Sequence, residues 1–422
     1  MSLFFYRLSV LLLLPWAIIH LLWRSRRQPS YLRHWDERFG IYRRTVAAPS
    51  APTFWIHAVS VGETRAAQPL IAALRQHYPD HRIVVTHMTP SGRETSEMLF
   101  GDEIERLYLP YDTPGATNRF LRAIRPKLGI IMETELWPNL IANCRTQGIP
   151  LLLVNARLSE RSAKRYAQFS SLTPLALNGL AAIGAQSGQD ASRLKDLGAT
   201  NILVTGNMKF DIEVPAYQLE LGVKFRQQMG ERKVLLAAST RVGEEKLILD
   251  AWRKVGADST ALLVIVPRHP QRFDEVAELA SHYGFRVQRR SQNETLADTT
   301  HILIGDSMGE MFAWYAAADV AFVGGSLLDY GSQNLIEPCA VGTPVLIGPS
   351  TFNFADAAQE AVSCGAARTI SDANALVSAV LELLADPDAR TAMGNAGRLF
   401  CNSHRGATAQ TMKLIERYCP KS

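Results

Sequence analysis

Apolar runs suited to buried strands recur along the chain at 54–59, 82–86, 105–109, 128–132, 150–154, 180–185 and 202–205. A second series follows at 233–238, 261–266, 284–288, 300–304, 319–323 and 344–347. Amphipathic helical patterns fill the gaps, among them 65–76, 115–124 and 189–197, and a polar helix at 216–229 separates the two series. Strand–helix alternation predicts parallel sheets with right-handed crossovers, and two series predict two such sheets. The break is placed near 208–220, where MKFDIEVPAY carries a proline and loses periodicity. The expected class is α/β: two doubly wound domains, 24–212 and 213–422, facing a central cleft where strand ends of both halves surround one ligand. A length of 422 residues agrees with this, since it suits two cores of roughly 200 residues each.

The N-terminus departs from the alternation. LSVLLLLPWAIIHLLW, residues 8 to 23, is a run of sixteen mostly apolar residues, short of the ~20 that cross a hydrocarbon core. Counting from Leu3 adds Phe4, Phe5 and Tyr6 but also Arg7. Residues 24 to 44 follow with seven arginines (24, 26, 27, 33, 38, 43, 44) against Asp36 and Glu37, an excess equal to the +5 of the whole chain. No small-residue cleavage site precedes the arginines, so an uncleaved anchor is expected over 1–23, with Trp16 or Trp23 near an interface. The positive-inside rule places the arginines and everything after them on the cytoplasmic side of the membrane. The arginines also suit anionic lipid headgroups. Length alone leaves open whether residues 3 to 23 span the bilayer or lie in one leaflet.

The rest of the chain is nearly neutral, which argues against a nucleic-acid partner. Five scattered cysteines show no CxxC pair, so neither a zinc site nor a disulfide framework is indicated, and a reducing compartment fits. No GxGxxG follows the first strand, there is no P-loop, and the ten histidines show no HExxH spacing.

Candidate chemistry gathers where predicted strands end. WIHAVSVGE runs from a buried strand through Gly62, read as a sharp exit, to Glu63 at the start of a helix. In open α/β sheets ligands bind on that side, so Glu63 is placed to act as a general base. The same position also suits a carboxylate that simply complements the helix dipole. IIMETELWPN places Glu133 and Glu135 two positions apart, on one face if the strand continues; the alternative is a pair of loop carboxylates. Lys209 emerges from a Gly-Asn turn in TGNMKFD, where a point charge suits a leaving phosphate and where a solvated lysine is the ordinary outcome.

In the second half, Ser239 and Thr240 offer a helix N-cap or an anion site. VIVPRHPQR sets Arg268 beyond a strand between Pro267 and His269, suited to bidentate phosphate contact. GDSMGEM brings Met308, Gly309 and Glu310 to a helix start. FVGGSLLDYGSQNLIEP is the densest stretch, with glycines that permit close backbone approach and with Ser332, Asn334 and Glu337 as polar groups. Asn334 and Glu337 loosely fit a capping box as well, but a cap does not account for the surrounding glycines and prolines. This region reads as a nucleotide site.

Taken together, YLRHWDERFG, WIHAVSVGE, METELWPN, NARLSERS, GNMKFD, VPRHP, DSMGEM, FVGGSL and NLIEP…GTPVLIGPSTFNF resemble the Kdo transferases of lipopolysaccharide assembly, in order and over nearly the whole chain. The resemblance implies a GT-B glycosyltransferase of two Rossmann-like domains. Its N-terminal domain would hold a lipid A precursor (lipid IVA) and its C-terminal domain the donor, CMP-Kdo, with inverting, metal-independent chemistry and no cofactor. It implies Glu63 as proton acceptor and Glu133 with Lys209 as transition-state stabilisers. CMP contacts would come from Pro267, Arg268, Met308, Gly309, Glu310, Asn334, Leu335, Ile336 and Glu337. Many members carry GGHN where this chain has Gly331-Ser332-Gln333-Asn334, which puts the histidine's role at the sugar or phosphate in doubt. The competing readings are another GT-B enzyme of envelope synthesis using a UDP-sugar, and an inactive membrane-tethered sugar-nucleotide binding protein.

Overall fold

The computed structural model describes residues 2–26, 28–42, 51–255 and 261–420. Arg27, Arg43 and Arg44 of the basic stretch lie outside the described residues. The chain divides into two compact units: unit 1 comprises Met1–Ile212 with His404–Ser422, and unit 2 comprises Glu213–Ser403.

Unit 1 holds β1 (Thr53–His57), β2 (Arg82–His87), β3 (Glu105–Tyr108), β4 (Pro126–Met132), β5 (Leu151–Ala156), β6 (Ala182–Ala185) and β7 (Ile202–Val204). All are parallel, in the order β3-β2-β1-β4-β5-β6-β7. Unit 2 holds β8 (Val234–Thr240), β9 (Leu262–Pro267), β10 (Val287–Arg289), β11 (Ile302–Ile304), β12 (Val320–Val323), β13 (Val345–Ile347) and β14 (Ala367–Thr369). These are again parallel, in the order β10-β11-β9-β8-β12-β13-β14. Six helices matter below: α1 (Leu3–Ser25), α2 (Val61–His77), α3 (Pro138–Thr146), α4 (Glu244–Trp252), α5 (Ile336–Val341) and α6 (Ala407–Glu416).

The strands are apolar on both faces because helices cover both faces, as parallel sheets require. Every residue of β1 is buried. Phe54 and Ile56 face one layer with Leu70, Ile71 and Leu74 of α2. Trp55 faces the opposite layer with Phe120 and Ile131, and its indole N–H donates to Thr86 Oγ1 at 2.9 Å. In each sheet the strand order reverses beside the first strand, between β1 and β4 and between β8 and β12. Such reversals open a crevice at the carboxyl ends of the strands.

Two expectations change. The second domain was expected to run to residue 422, but His404–Ser422 belongs to unit 1. Ala407, Met412, Leu414, Ile415 and Cys419 of this segment are buried in the same core layer as α2. The Asp211 carboxylate accepts from the N–H groups of Gly406 and Thr408 at 2.7 and 2.5 Å, fastening the start of α6. An apolar stripe announces that a helix needs a partner and does not say which one. The edge strand β14 has no counterpart among the expected runs; it is three residues long with two of them exposed.

Candidate active site

Glu63 stands in the first turn of α2, directly after β1, and is 9% exposed. Its Oε2 accepts from Val59 N–H at 2.7 Å and its Oε1 from Ser60 Oγ–H at 3.1 Å. The helix-start role weighed from the sequence is thus real, and it also fixes the carboxylate in one orientation. Gly62 lies inside α2 with an ordinary negative φ, and a Cβ there would meet only Ser60 Oγ at 3.9 Å. The sharp exit therefore does not depend on that glycine.

Glu133 follows β4 on the other side of the reversal. Its φ of +56° ends the strand at Met132, so the condition for a shared strand face is not met and Glu133 and Glu135 are the loop carboxylates of the alternative reading. A non-glycine residue in this region costs of order 1–3 kcal/mol and is retained where surrounding structure holds it; Glu133 N–H donates to Val154 O at 3.0 Å. Its Oε1 accepts from Lys209 Nζ at 3.1 Å, an ion pair whose lysine side chain is only 15% exposed.

Lys209 reaches this position by a tertiary route. It follows β7, three strands from β4 in the sheet, a separation of ~14 Å at ~4.8 Å per strand. The chain reverses at Gly206, whose φ is +88°. Met208 N–H then donates to Asn155 Oδ1 at 3.0 Å, and Lys209 N–H donates to Asn207 Oδ1 at 3.0 Å. Asn155, fully buried and itself at φ +53°, is a positioning residue that sequence reasoning missed. Its place at the end of β5, in NARLSERS, was the available signal.

The electrostatics follow from this crowding. Burial first, and the Glu133 charge second, push the Glu63 carboxyl up to about 8, with Glu135 adding to the rise; the Val59 N–H and the Ser60 hydroxyl pull the other way. Burial and Glu133 push Glu135 up to about 7. His57, at the end of β1, is driven down to about 3 by burial and by His87, so it stays neutral. Unit 1 therefore brings Glu63, Glu133 and Lys209 together with Glu135.

In unit 2 the loops after β8, β9 and β12 form the second cluster. Gly324 sits where a Cβ would come within 2.6 Å of Ser239 O and 2.7 Å of Thr240 Cα, so only glycine fits beside the exit of β8. The fully buried Glu244 carboxylate accepts three backbone N–H groups, from Arg241 at 2.8 Å, Gly325 at 2.6 Å and Leu327 at 3.0 Å. Ser239 and Thr240 do not cap α4: its N-cap is Gly243, and the Thr240 hydroxyl donates to Glu245 Oε1 at 2.7 Å.

Pro267 ends β9 and Arg268 follows it, with its N–H donating to Thr240 O at 3.0 Å. Arg268 Nε donates to Gln333 Oε1 at 3.1 Å, so the residue that stands where GGHN has its histidine orients this guanidinium. Arg241 Nη1 lies 3.2 Å from His269 Nε2. Burial, followed by the charges of Arg241, Arg268 and Arg272, pushes His269 below its usual value.

The other expected contacts lie in two further loops of unit 2, after β11 and before α5. Met308 is exposed and Gly309 has φ +81°. Gly309 O accepts from Gln218 Nε2 at 2.9 Å, and Phe312 N–H donates to Gln218 Oε1 at 3.1 Å, which makes the buried Gln218 a second support that sequence reasoning missed. Glu310 accepts from Arg290 at 3.3 Å and from the Ser307 hydroxyl. Asn334 Nδ2 donates to Glu337 Oε1 at 3.1 Å, and Asn334 Oδ1 accepts from Ile336 N–H at 3.0 Å at the start of α5. The Leu335 and Ile336 side chains are buried. Among the described residues no group of three or more His, Cys, Asp or Glu is arranged to hold a metal ion.

Two family models cover these units: "3-Deoxy-D-manno-octulosonic-acid transferase (kdotransferase)" matches residues 33–212 and "Glycosyl transferases group 1" matches 227–400. A 3-deoxy-D-manno-octulosonic acid transferase of Bordetella pertussis is 43% identical over 409 residues, covering 94% of this chain and 95% of that one. Its namesake from Haemophilus influenzae is 38% identical over 427 residues, covering 99% of each. In fold, a glycosyltransferase structure from Rickettsia africae matches 89% of this chain and 100% of its own at a TM-score of 0.60 and 13% identity. The architecture is that of the GT-B glycosyltransferases. With motifs, sheets and relatives in agreement over nearly its full length, the chain belongs to the 3-deoxy-D-manno-octulosonic acid (Kdo) transferase family of glycosyltransferases.

Proposed function

We propose that this protein transfers Kdo from CMP-Kdo to a lipid A precursor, lipid IVA, with inversion and without a metal, at the cytoplasmic side of the inner membrane. Unit 1 takes the acceptor and unit 2 the donor. The observation that carries the reading is the Glu63 carboxylate, buried at the β1–β4 reversal, locked by Val59 and Ser60, and raised to about 8 beside Glu133. A buried carboxyl tuned towards the working pH is what a general base for a sugar hydroxyl requires.

In this reading Glu63 accepts the proton of the acceptor hydroxyl as its oxygen bonds to the anomeric carbon of Kdo. The bond from that carbon to the phosphate oxygen breaks, and CMP leaves with the electron pair. Arg268, oriented by Gln333, binds the departing phosphate. Lys209, aligned by Glu133, offers its charge to the reacting centre. Preorganised charges of this kind stabilise a transition state without reorganising during the reaction. Pro267, Met308, Gly309, Glu310 and Asn334 through Glu337 hold the nucleotide.

The test is incubation of the purified chain with CMP-Kdo, generated in situ, and a tetraacylated lipid A precursor. Metal is chelated before the transferase is added, and the lipid is read by mass spectrometry. A gain of one or more Kdo masses is expected. An unchanged lipid in the continued presence of CMP-Kdo rejects the reading and moves weight to a UDP-sugar donor or to binding without turnover; thermal shifts with CMP against UDP separate those two.

A further inference from the structure

Helix α1 is long and apolar enough to cross a membrane, yet its first turns and the chain thirteen residues beyond its end are fastened to neighbouring residues of unit 1. Near its start, Tyr6 OH donates to Asp112 Oδ2 at 2.8 Å and Arg7 Nε donates to Asn139 Oδ1 at 2.9 Å. Asp112 is itself buried, and its carboxylate accepts the Asn139 and Leu140 N–H groups at the start of α3 at 2.9 and 2.8 Å. Past the end of α1, Tyr111 N–H donates to Arg38 O at 2.8 Å, the Phe39 ring packs edge-on to Tyr111, and Arg38 Nη2 donates to Met88 O. The chain leaves Asp112 along α1 and is back at Tyr111 by Arg38.

A helix entering hydrocarbon from this point would have to come back through it. The return segment is residues 26 to 37, which carries Arg26, Arg33, His34, Asp36 and Glu37 and no apolar run. Charged groups and irregular backbone do not cross a lipid core. The helix also has two unequal sides. Arg7, Val10, Leu14, Ala17 and Leu21 form a half-buried to buried stripe at helical spacing, while Phe5, Leu8, Leu12, Trp16, Ile19 and Trp23 form an exposed one.

We propose that α1 does not span the bilayer but lies in the plane of the membrane surface, its Phe5–Trp23 stripe in the acyl region of one leaflet and Arg24, Arg26 and Arg33 at the level of anionic headgroups. A bilayer is the fitting occupant because the stripe is wholly apolar, carries tryptophans suited to a membrane–water interface and is followed by cations suited to anionic headgroups. The inference rests on the membrane association proposed above and not on the identity of donor or acceptor.

The test uses the full chain with the exposed native Cys364 replaced by serine and a single new cysteine at Ser2→Cys or Gln28→Cys. Inverted inner-membrane vesicles are treated with a membrane-impermeant maleimide. Both sites are expected to react to the same extent without detergent. A Ser2→Cys protein that reacts only after permeabilisation, while Gln28→Cys reacts at once, overturns the proposal in favour of a spanning helix. Failure of the chain to remain with the vesicles at all rejects membrane association itself.

Nitroxides at Leu8→Cys, Leu12→Cys and Ile19→Cys give a second reading in phosphatidylglycerol-containing vesicles. From residue 8 to 19 a helix advances about 16 Å. Equal depths at the three sites support the in-plane helix. A graded series of depths overturns it, as does loss of lipid contact on self-association, which would make a second copy the occupant.

Discussion

At the end of β1 in unit 1 and the end of β8 in unit 2 the same topological event occurs: the strand order reverses and the carboxyl ends part. The two reversals are furnished in opposite ways. Beside β1, Glu63 has one backbone N–H and one hydroxyl as partners and two further carboxylates for neighbours. Beside β8, Glu244 is saturated by three backbone N–H groups and serves as a loop clamp, while Gly324 lets β8 and β12 approach and Arg268 waits on Gln333. An undercompensated carboxylate can move a proton. A saturated one holds backbone in place for a ligand. In the proposed function the carboxylate with fewer hydrogen bonds takes the proton, and the one bound by three backbone N–H groups shapes the loops that receive the donor.

The division can be broken most directly at Glu63. Glu63→Ala is expected to lower turnover by about 10²–10⁴-fold, the range of a lost general base, and to leave CMP affinity within twofold by calorimetry. A matching loss of CMP affinity would end the separation of roles. Arg268→Ala should do the reverse, weakening CMP by about 10–100-fold, as for a lost charge-assisted hydrogen bond. Gln333→Ala should weaken it less, by about threefold to tenfold, since it removes only the group that orients the arginine.

Glu133→Gln sharpens the comparison through pH. With Glu63 at about 8, kcat/KM should fall about tenfold per pH unit below that value, because the protonated carboxyl cannot act as base. Removing the Glu133 charge lowers the Glu63 pKa, so the falling limb moves to lower pH even as kcat drops through loss of the Lys209 partner. An unmoved limb would show that Glu63 is not the titrating base.

The smallest effect is on stability. The folded state raises Glu63 from 4.5 to about 8, so it favours the protonated form, and stability is lost as pH rises between those values. Glu63→Gln removes that loss and should gain on the order of 1–3 kcal/mol at pH 9 and nothing at pH 4, read from unfolding midpoints.

Strand–helix alternation, the two sheets and the position of Glu63 after β1 were legible in the chain because they depend on local periodicity and on a carboxylate placed just beyond a strand end. The cluster around Glu63 was only partly so. Glu133 and Glu135 were visible as a pair, but the strand ends at a left-handed Glu133, and periodicity carries no record of φ.

What the sequence by itself determined is therefore the set of elements and the chemical types at their ends: a buried β1, a carboxylate opening α2, an arginine after β9, an apolar α1 followed by cations. Only the tertiary structure decided which of these meet. Lys209 reaches Glu133 from three strands away because Gly206 turns the chain and Asn155 catches it. Helix α6 closes unit 1 from the far end of the chain, and Tyr6 and Arg38 return to adjacent residues. Periodicity specifies what a segment must bury, and the partner that buries it is chosen by long-range packing and hydrogen bonding that no local pattern encodes.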